Sequence, residues 1–517
     1  MVNCQAPKIM ESTPSNQKAP EDVEKRQCWE CQRRRLVCDG IRPVCNKCKT
    51  NKVVCPGYED KKPLVWLAPG KVTSRVRRAK PTASKKNGPG KATEEKTEAL
   101  MCQKKAQPMV ETVSRIDLRS DAEDVVQAIY YYNASIFPSW ESVRKLAPGG
   151  CEWLVPIPLD ALHNVDASIR HSLTLCAIEY RLHYLTGATS SNSSDGDDLR
   201  SMRTKSLYHR DVAIRALSEA IGDDKRRATD VTIVGVLMFL LIDIRQCALN
   251  WRYHFVGLTS LMELRGGPNE YFRLVPHLKI LIAYYYIVGV IGNTTSPAHD
   301  LLYPTQHAEY IDLIKMMYED GLFPTLLSPP ALFYILVRIN LLRQQASQAC
   351  EPTNALQSQA RRIMEEIELF SPADWTGSLS SCGPGLLLVA QMHQSAVMVY
   401  CISSMQSVQV LPRSTTIDSL KKIHHKRLLS LLREGMFSTE LKPGLLKCTM
   451  WLLLVAGTEL RTGSLADQAF VEEQLEDMCQ DIGSSLPRLG TIVLRRFWNS
   501  ERAGWDDCFE KPYAFVT

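Results

Sequence analysis

From residue 121 onward, apolar residues recur at intervals of three and four, in blocks of roughly 12 to 20 residues broken by Gly, Pro and Ser. Clean period-two alternation is nearly absent, so the pattern predicts helices rather than strands. The spacing places them over Ile169–Leu185, Trp251–Arg265, Leu274–Ile291, Ala331–Gln345, Leu356–Phe370, Gly385–Met405, Ile417–Glu434, Leu445–Leu460, Asp467–Ile482 and Thr491–Trp498. Ser120-Asp121-Ala-Glu-Asp ahead of Val125–Tyr130 reads as a capped start with acidic residues in the first turn. Gly187–Asp198, all small and acidic, reads as a mobile loop. Beyond it, Leu207, Ala213, Leu217 and Ala220, with Ile214 and Ile221, share one helical stripe. Val231–Ile242 is apolar on every side and is expected to be a central, buried helix. The expectation is a mostly α fold, with one large all-α domain over residues 116–517.

The first fifth of the chain has none of this periodicity. Residues 1–24, rich in Pro, Ser, Gln and Glu, read as a disordered tail. Residues 25–58 hold six cysteines, and residues 59–115 read as a disordered basic linker with interspersed Pro and Gly, in which Pro63–Ala68 is an apolar patch able to dock locally. Hydrophobic residues make up 45% and charged residues 23% of the 517, which excludes a wholly disordered or collagen-like chain. The net charge of +6 is unevenly placed: residues 1–110 carry 24 Lys and Arg against 11 Asp and Glu, while the rest carry 38 against 45. Such asymmetry points to a nucleic-acid-binding head on a near-neutral body. The opening residues lack an apolar h-region, and the apolar runs near Val231–Ile242 and Ile280–Ile291 fall short of the ~20 residues a spanning helix needs, so no secretory leader and no membrane partner are expected. Seventeen cysteines without a leader imply a reducing compartment, where clustered thiols bind metal more often than they pair.

The cysteine spacing is Cys28-x2-Cys31-x6-Cys38-x6-Cys45-x2-Cys48-x6-Cys55, a C-x2-C-x6-C unit occurring twice. Two tetrahedral zinc ions need eight coordination positions, and six thiolates fill them only if two thiolates bridge. The pseudo-symmetric bridging pair is Cys28 and Cys45. Six thiolates and two Zn2+ leave the cluster at about −2, which the 11 basic and four acidic residues between Lys25 and Lys62 more than offset. A segment this short cannot build a sufficient apolar core, so metal must supply its folding energy. With thiolate at every position and none open to water, the zinc is structural rather than catalytic. Cys28, Cys31, Cys45 and Cys48 alone have the spacing of a nuclear-receptor zinc module, but that reading strands Cys38 and Cys55.

The module resembles the fungal binuclear zinc cluster (Zn2Cys6) found at the start of a large class of fungal transcription regulators. The resemblance is carried by the six cysteines, Arg33-Arg34-Arg35, Asp39 and Pro43. It implies two Zn2+ per chain and a short helix on each unit, the first pointing its N-terminal end into the major groove. It implies further that Arg34 and Arg35 read bases, the expected target being a CGG-type half-site. A guanidinium suits that task because it donates bidentately to guanine O6 and N7. Arg35 stands where the family usually has Lys, and Val37 where it has a basic residue. Lys25, Arg26, Arg33, Lys47, Lys49 and Lys52 read as phosphate contacts, which position the head without specifying sequence.

The resemblance extends to the body. Trp251, His254, Gly257 and Leu261, followed by Leu264-Arg265-Gly266-Gly267, look like the corresponding segment of the fungal-specific regulatory domain, and Phe497-Trp498 with Trp505–Phe509 look like its closing segment. Trp251 and His254 are expected to serve helix packing, and Gly266-Gly267 to end their helix. The chain holds no Gly-x-Ser-x-Gly, His-Glu-x-x-His or Walker A pattern, and His424-His425-Lys426-Arg427 reads as an exposed helical face, so no catalytic residue is expected. The function so implied is a zinc-dependent, sequence-specific DNA-binding regulator of RNA polymerase II promoters, located in the nucleus, whose basic run Arg75–Lys80 with Lys85-Lys86 serves import. Its partners are double-stranded DNA, a second copy of itself if the body dimerises, and coregulators or a small-molecule effector. The alternative is a sensor or repressor tethered to DNA through the same head; a buried pocket among the helices around 231–291 would favour it.

Overall fold

The computed structural model describes two units. The head comprises residues 27–55 apart from 35, 43, 52 and 54; the body comprises residues 121–516 apart from 147–154, 189–195, 248–249, 320–326, 350–352, 380–382 and 384. The tail, the linker with its import-like run and the Pro63–Ala68 patch lie outside the described residues.

Among the described residues every regular element is a helix. The head has two, α1 (Trp29–Arg34) and α2 (Asn46–Thr50). The body opens with a helix over residues 121–131 that continues through a π turn, Tyr132–Ile136. Its principal helices are α3 (Ala167–Ala188), α4 (Gly196–Gly222), α5 (Asp230–Arg245), α6 (Trp251–Glu263), α7 (Lys279–Thr294), α8 (Pro330–Gln348), α9 (Leu386–Ser407), α10 (Thr415–Phe437), α11 (Met450–Thr458), α12 (Leu465–Ile482) and α13 (Leu486–Trp498). Neighbours in sequence pair as α3 with α4, α5 with α6, α9 with α10 and α12 with α13. Starts follow sequence: the hydroxyls of Thr229, Ser414 and Ser464 accept from the first-turn amides of α5, α10 and α12, which satisfies donors that would otherwise be orphaned. The end of α6 is made by Gly266 and Gly267, at φ +89° and +91°, with Gly267 N donating 3.0 Å back to Met262 O.

The core is centred on α9 rather than on the apolar run of α5. All of α9 is buried except Leu387, Gln391 and Ser407. It has the length and hydropathy of a membrane span, yet it sits inside the bundle. Its polar residues disguise it in the sequence, and each described one that carries an amide or hydroxyl bond finds it inside the body. Gln394 Nε2 donates to Ile367 O and Phe370 O at 2.9 and 2.8 Å, Tyr400 OH to Asn340 Oδ1 at 2.6 Å, and Ser403 Oγ to Glu459 Oε1 at 2.6 Å. Helix α5 is buried along Ile233, Val236, Leu237, Leu240 and Ile244, but Val231 stays 42% exposed. The α4 stripe differs from the expected one. Ala213, Leu217 and Ala220 are buried together with Ser206 and His209, whereas Leu207, Ile214 and Ile221 are exposed. They stand seven residues apart on the far side of the helix. Residues 196–198 of the expected loop are already the first turn of α4.

One buried side chain sets an acid limit on this core. His307 is 2% exposed, with Phe255 and Tyr286 edge-on to its ring, and neither ring nitrogen has a hydrogen-bond partner. It fits because Gly289 lies beneath it; a Cβ there would come within 2.7 Å of the imidazole. Burial lowers the His307 pKa from 6.5 to about 4. The unfolded chain therefore binds the proton first, so the stability that neutral His307 contributes is present above pH 6.5 and is lost as pH falls toward 4. At 1.36 kcal/mol per pH unit the loss attributable to this residue is about 2 kcal/mol at pH 5. Urea unfolding at pH 7 and pH 5 should show it, and His307→Phe should remove that share of the difference.

Candidate metal centre and nucleic-acid interface

The head is built by the cysteine repeat itself, displaced by 17 residues. Gln32 N donates to Cys28 O and Lys49 N to Cys45 O, at 3.0 and 3.1 Å; Leu36 N to Cys31 O and Val53 N to Cys48 O, at 2.9 and 3.1 Å. The sulfurs obey the same relation, with Cys31 N directed at Cys28 Sγ (3.4 Å) and Cys48 N at Cys45 Sγ (3.3 Å). The two units are thus copies in three dimensions, each a short helix started by its first cysteine. Asp39, in the connection, accepts from Asn46 N at 2.9 Å and so caps α2 from across the loop.

Cys28, Cys31, Cys45 and Cys48 are buried, and their sulfurs lie within 4.8 Å of one another. Cys28 Sγ is 3.6 Å from Cys45 Sγ and 3.7 Å from Cys48 Sγ, and Cys31 Sγ is 3.6 Å from Cys45 Sγ. A zinc–sulfur distance of ~2.3 Å gives a tetrahedron with edges of about 3.8 Å, whereas a disulfide would be about 2.05 Å. The spacing fits metal. Cys31 also interacts with Cys38, and Cys48 with Cys55. Cys28 and Cys45 each lie against a sulfur of the other unit, and Cys38 lies beside Cys45. Burial pushes the Cys28, Cys31 and Cys48 thiols up, that of Cys48 to about 12. Bare thiols here would stay protonated at neutral pH; bound zinc supplies the positive charge that deprotonates them.

Of the residues expected at DNA, the structure places three side chains on the head's exterior. Arg34, at the end of α1, is exposed, its Nε 2.8 Å from Glu30 Oε1 one turn back. Lys47 and Lys49 are exposed on α2. Arg33 lies within α1, and its side chain is outside the described residues, as are Lys25, Arg26, Arg35, Pro43 and Lys52. The Glu30 contact was legible as an i,i+4 pair.

In the body, the two segments that resemble the family's regulatory domain meet at the C-terminal end of α7. Trp251 is buried, and its Nε1 donates to Pro512 O at 3.0 Å; Trp505 Nε1 donates to Thr294 O at 2.7 Å; Thr295 and Tyr513 exchange two bonds. Trp498 Nε1 donates to Gly457 O at 2.8 Å. His254 Nε2 lies 3.1 Å from Asp243, which Arg210 also engages at 2.6 Å. These residues pack and anchor. The His424–Arg427 run is not an exposed face throughout: His424 is buried with Nε2 2.5 Å from Glu368 Oε1, and His425 Nε2 is 2.9 Å from Ala456 O, because this side of α10 turns inward. Lys426 and Arg427 are exposed. A cavity of about 140 Å³ opens between α5, α7 and the end of α12.

Residues 26–64 match the fungal Zn(2)-Cys(6) binuclear cluster domain, and residues 129–515 match the fungal specific transcription factor domain. Over 505 residues the chain is 32% identical to a phomenoic acid biosynthesis cluster-specific transcriptional regulator of Leptosphaeria maculans, covering 95% of this chain and 89% of that protein. No solved structure matches the chain. The head's cysteine cluster is that of a domain which binds two zinc ions and DNA. With a zinc cluster at one end and a helical regulatory body over most of its length, the chain belongs to the fungal Zn2Cys6 family of transcription regulators.

Proposed function

We propose that Cys28, Cys31, Cys38, Cys45, Cys48 and Cys55 hold the two zinc ions, with Cys28 and Cys45 bridging, and that the folded head presents Arg34 and Arg35 to the guanines of a CGG-type half-site. The observation that supports this reading most is the close approach of Cys28 and Cys45. In this reading the pair joins the two zinc sites in one unit, which holds the end of α1 that carries Arg34. Lys25, Arg26, Arg33, Lys47, Lys49 and Lys52 supply phosphate contacts, and Arg75–Lys80 with Lys85-Lys86 supply nuclear import. The target is an RNA polymerase II promoter. Because the Leptosphaeria relative is a cluster-specific regulator, genes of one biosynthetic cluster are the proposed targets.

Fluorescence anisotropy on half-site and scrambled duplexes tests the two kinds of contact. Arg34→Ala should reduce discrimination between them by about 1–3 kcal/mol, because it removes a bidentate base contact. Lys49→Ala should weaken both duplexes alike and reduce the salt slope by about one. An equal loss on both duplexes for Arg34→Ala would remove it from base reading.

The cavity beside α5 and α7 supports a second reading, in which an effector bound by the body sets the regulator's activity. Comparing reporter transcription with DNA occupancy across effector concentrations separates this from constitutive action.

A further inference from the structure

The cavity between α5, α7 and the C-terminal end of α12 is apolar along Leu241, Ile244, Val288 and Ile482, and is polar at Arg245, Tyr284 and Ser484. At about 140 Å³ it approaches the ~150 Å³ engineered cavity that admits benzene. It reaches the surface past the half-buried Trp140, Leu241, Arg245 and Tyr284. Arg245 makes it unusual. Its Nη2 donates to Ile482 O and Gly483 O at 2.7 and 3.0 Å, and its guanidinium lies 6.0 Å from the Tyr180 ring centroid. Among the described residues no carboxylate lies within ion-pair distance of it, and Nε and Nη1 donate to no protein acceptor. The body's two fully buried cations, by contrast, are matched, Arg343 by Asp506 and Lys447 by Asp481.

We infer that this cavity binds a small monocarboxylic acid, its apolar body among Leu241, Ile244 and Val288 and its carboxylate on Arg245. The site deepens the effector reading and rests on it for its biological role. An amine would be repelled by the guanidinium, and a neutral ligand would gain no charge-assisted bond from it. A carboxylate accepts from the planar guanidinium fork in the geometry that fork favours. The volume limits the body to about the size of a benzene ring. Val516, at the end of the closing segment, also lines the cavity, so occupancy bears on the segment that packs against α7.

The test uses the full-length, zinc-loaded chain with benzoate and, as the neutral mimic, benzyl alcohol, in ligand-observed NMR titrations at matched ionic strength. Benzoate should bind roughly tenfold or more tightly than benzyl alcohol, the worth of a charge-assisted hydrogen bond. Arg245→Gln should erase that preference while keeping the alcohol, and Leu241→Trp, which fills the space, should abolish both. Because Arg245 also holds the α12 carbonyls, the preference in the unaltered chain and the Leu241→Trp result decide the matter if Arg245→Gln fails to fold. Equal affinities, benzoate binding that survives Leu241→Trp, or no binding of either probe would each overturn the site. Binding as stated, without any change in reporter transcription, would keep the site and reject the effector reading.

Discussion

Cys28→Ser is expected to empty both metal positions, taking zinc from two per chain to near zero and reducing DNA affinity to the level of the basic segments alone. Cys38→Ser should leave one. The difference follows from the proposed bridging: Cys28, 3.6 Å from Cys45, would serve both zinc ions, whereas Cys38 would serve one. Structural zinc contributes ~10 to 16 kcal/mol apparent to folding in small domains, far more than a module of this size gains from burying Val53 and its cysteines. Serine keeps the shape but offers a hydroxyl of much higher pKa than a thiol, so it does not replace a bridging thiolate. Native mass spectrometry gives the zinc count, and anisotropy on the half-site duplex gives the affinity. The body, a separate compact unit, should melt at an unchanged temperature in both variants. Identical zinc counts for Cys28→Ser and Cys38→Ser would refute the bridging role of Cys28.

That head was legible in sequence because its determinants are local and repeated. Six cysteines at fixed spacing dictate which sulfurs can meet, and the 17-residue displacement that relates them also relates the backbone bonds from Gln32 and Lys49. The end of α6 was legible for a similar reason, since the Gly266-Gly267 stop is set within one turn. The centrality of α9 was not. Its Gln394, Tyr400 and Ser403 look solvent-facing until Ile367, Asn340 and Glu459 arrive from other helices. His424 was misjudged for the same reason, since Glu368 is 56 residues away. The cavity at Arg245 had no sequence signal at all, because an unpaired charge is defined by the acids that fail to approach it.

The same logic of distant partners governs the body's largest expected response. Arg343 is fully buried on α8, where Nη1 donates to Asn293 O at 2.9 Å and Tyr400 OH at 3.0 Å, and Nη2 to Ser296 O at 2.8 Å and Asp506 Oδ1 at 2.7 Å. Asp506 is the one carboxylate in that set, and its other oxygen accepts from Ala298 N at 3.0 Å. Asp506→Ala should therefore cost about 3–5 kcal/mol, since it leaves a buried guanidinium without a counter-charge. Calorimetry of the full chain should show the body melting lower while zinc content stays at two. Arg343→Met alone should also destabilise, because the carbonyls of Asn293 and Ser296 lose their donors. The double variant should cost less than the sum of the two singles, by a coupling of about 0.5–3 kcal/mol. Strict additivity would mean that Asp506 acts through Ala298 and the neighbouring Trp505 rather than through the guanidinium. Trp505 donates to Thr294 O at 2.7 Å and Trp451 to Thr294 Oγ1 at 2.8 Å. Freeing the closing segment at Asp506 thus exposes the end of α7, and sensitivity to protease should rise first at residues 504–516.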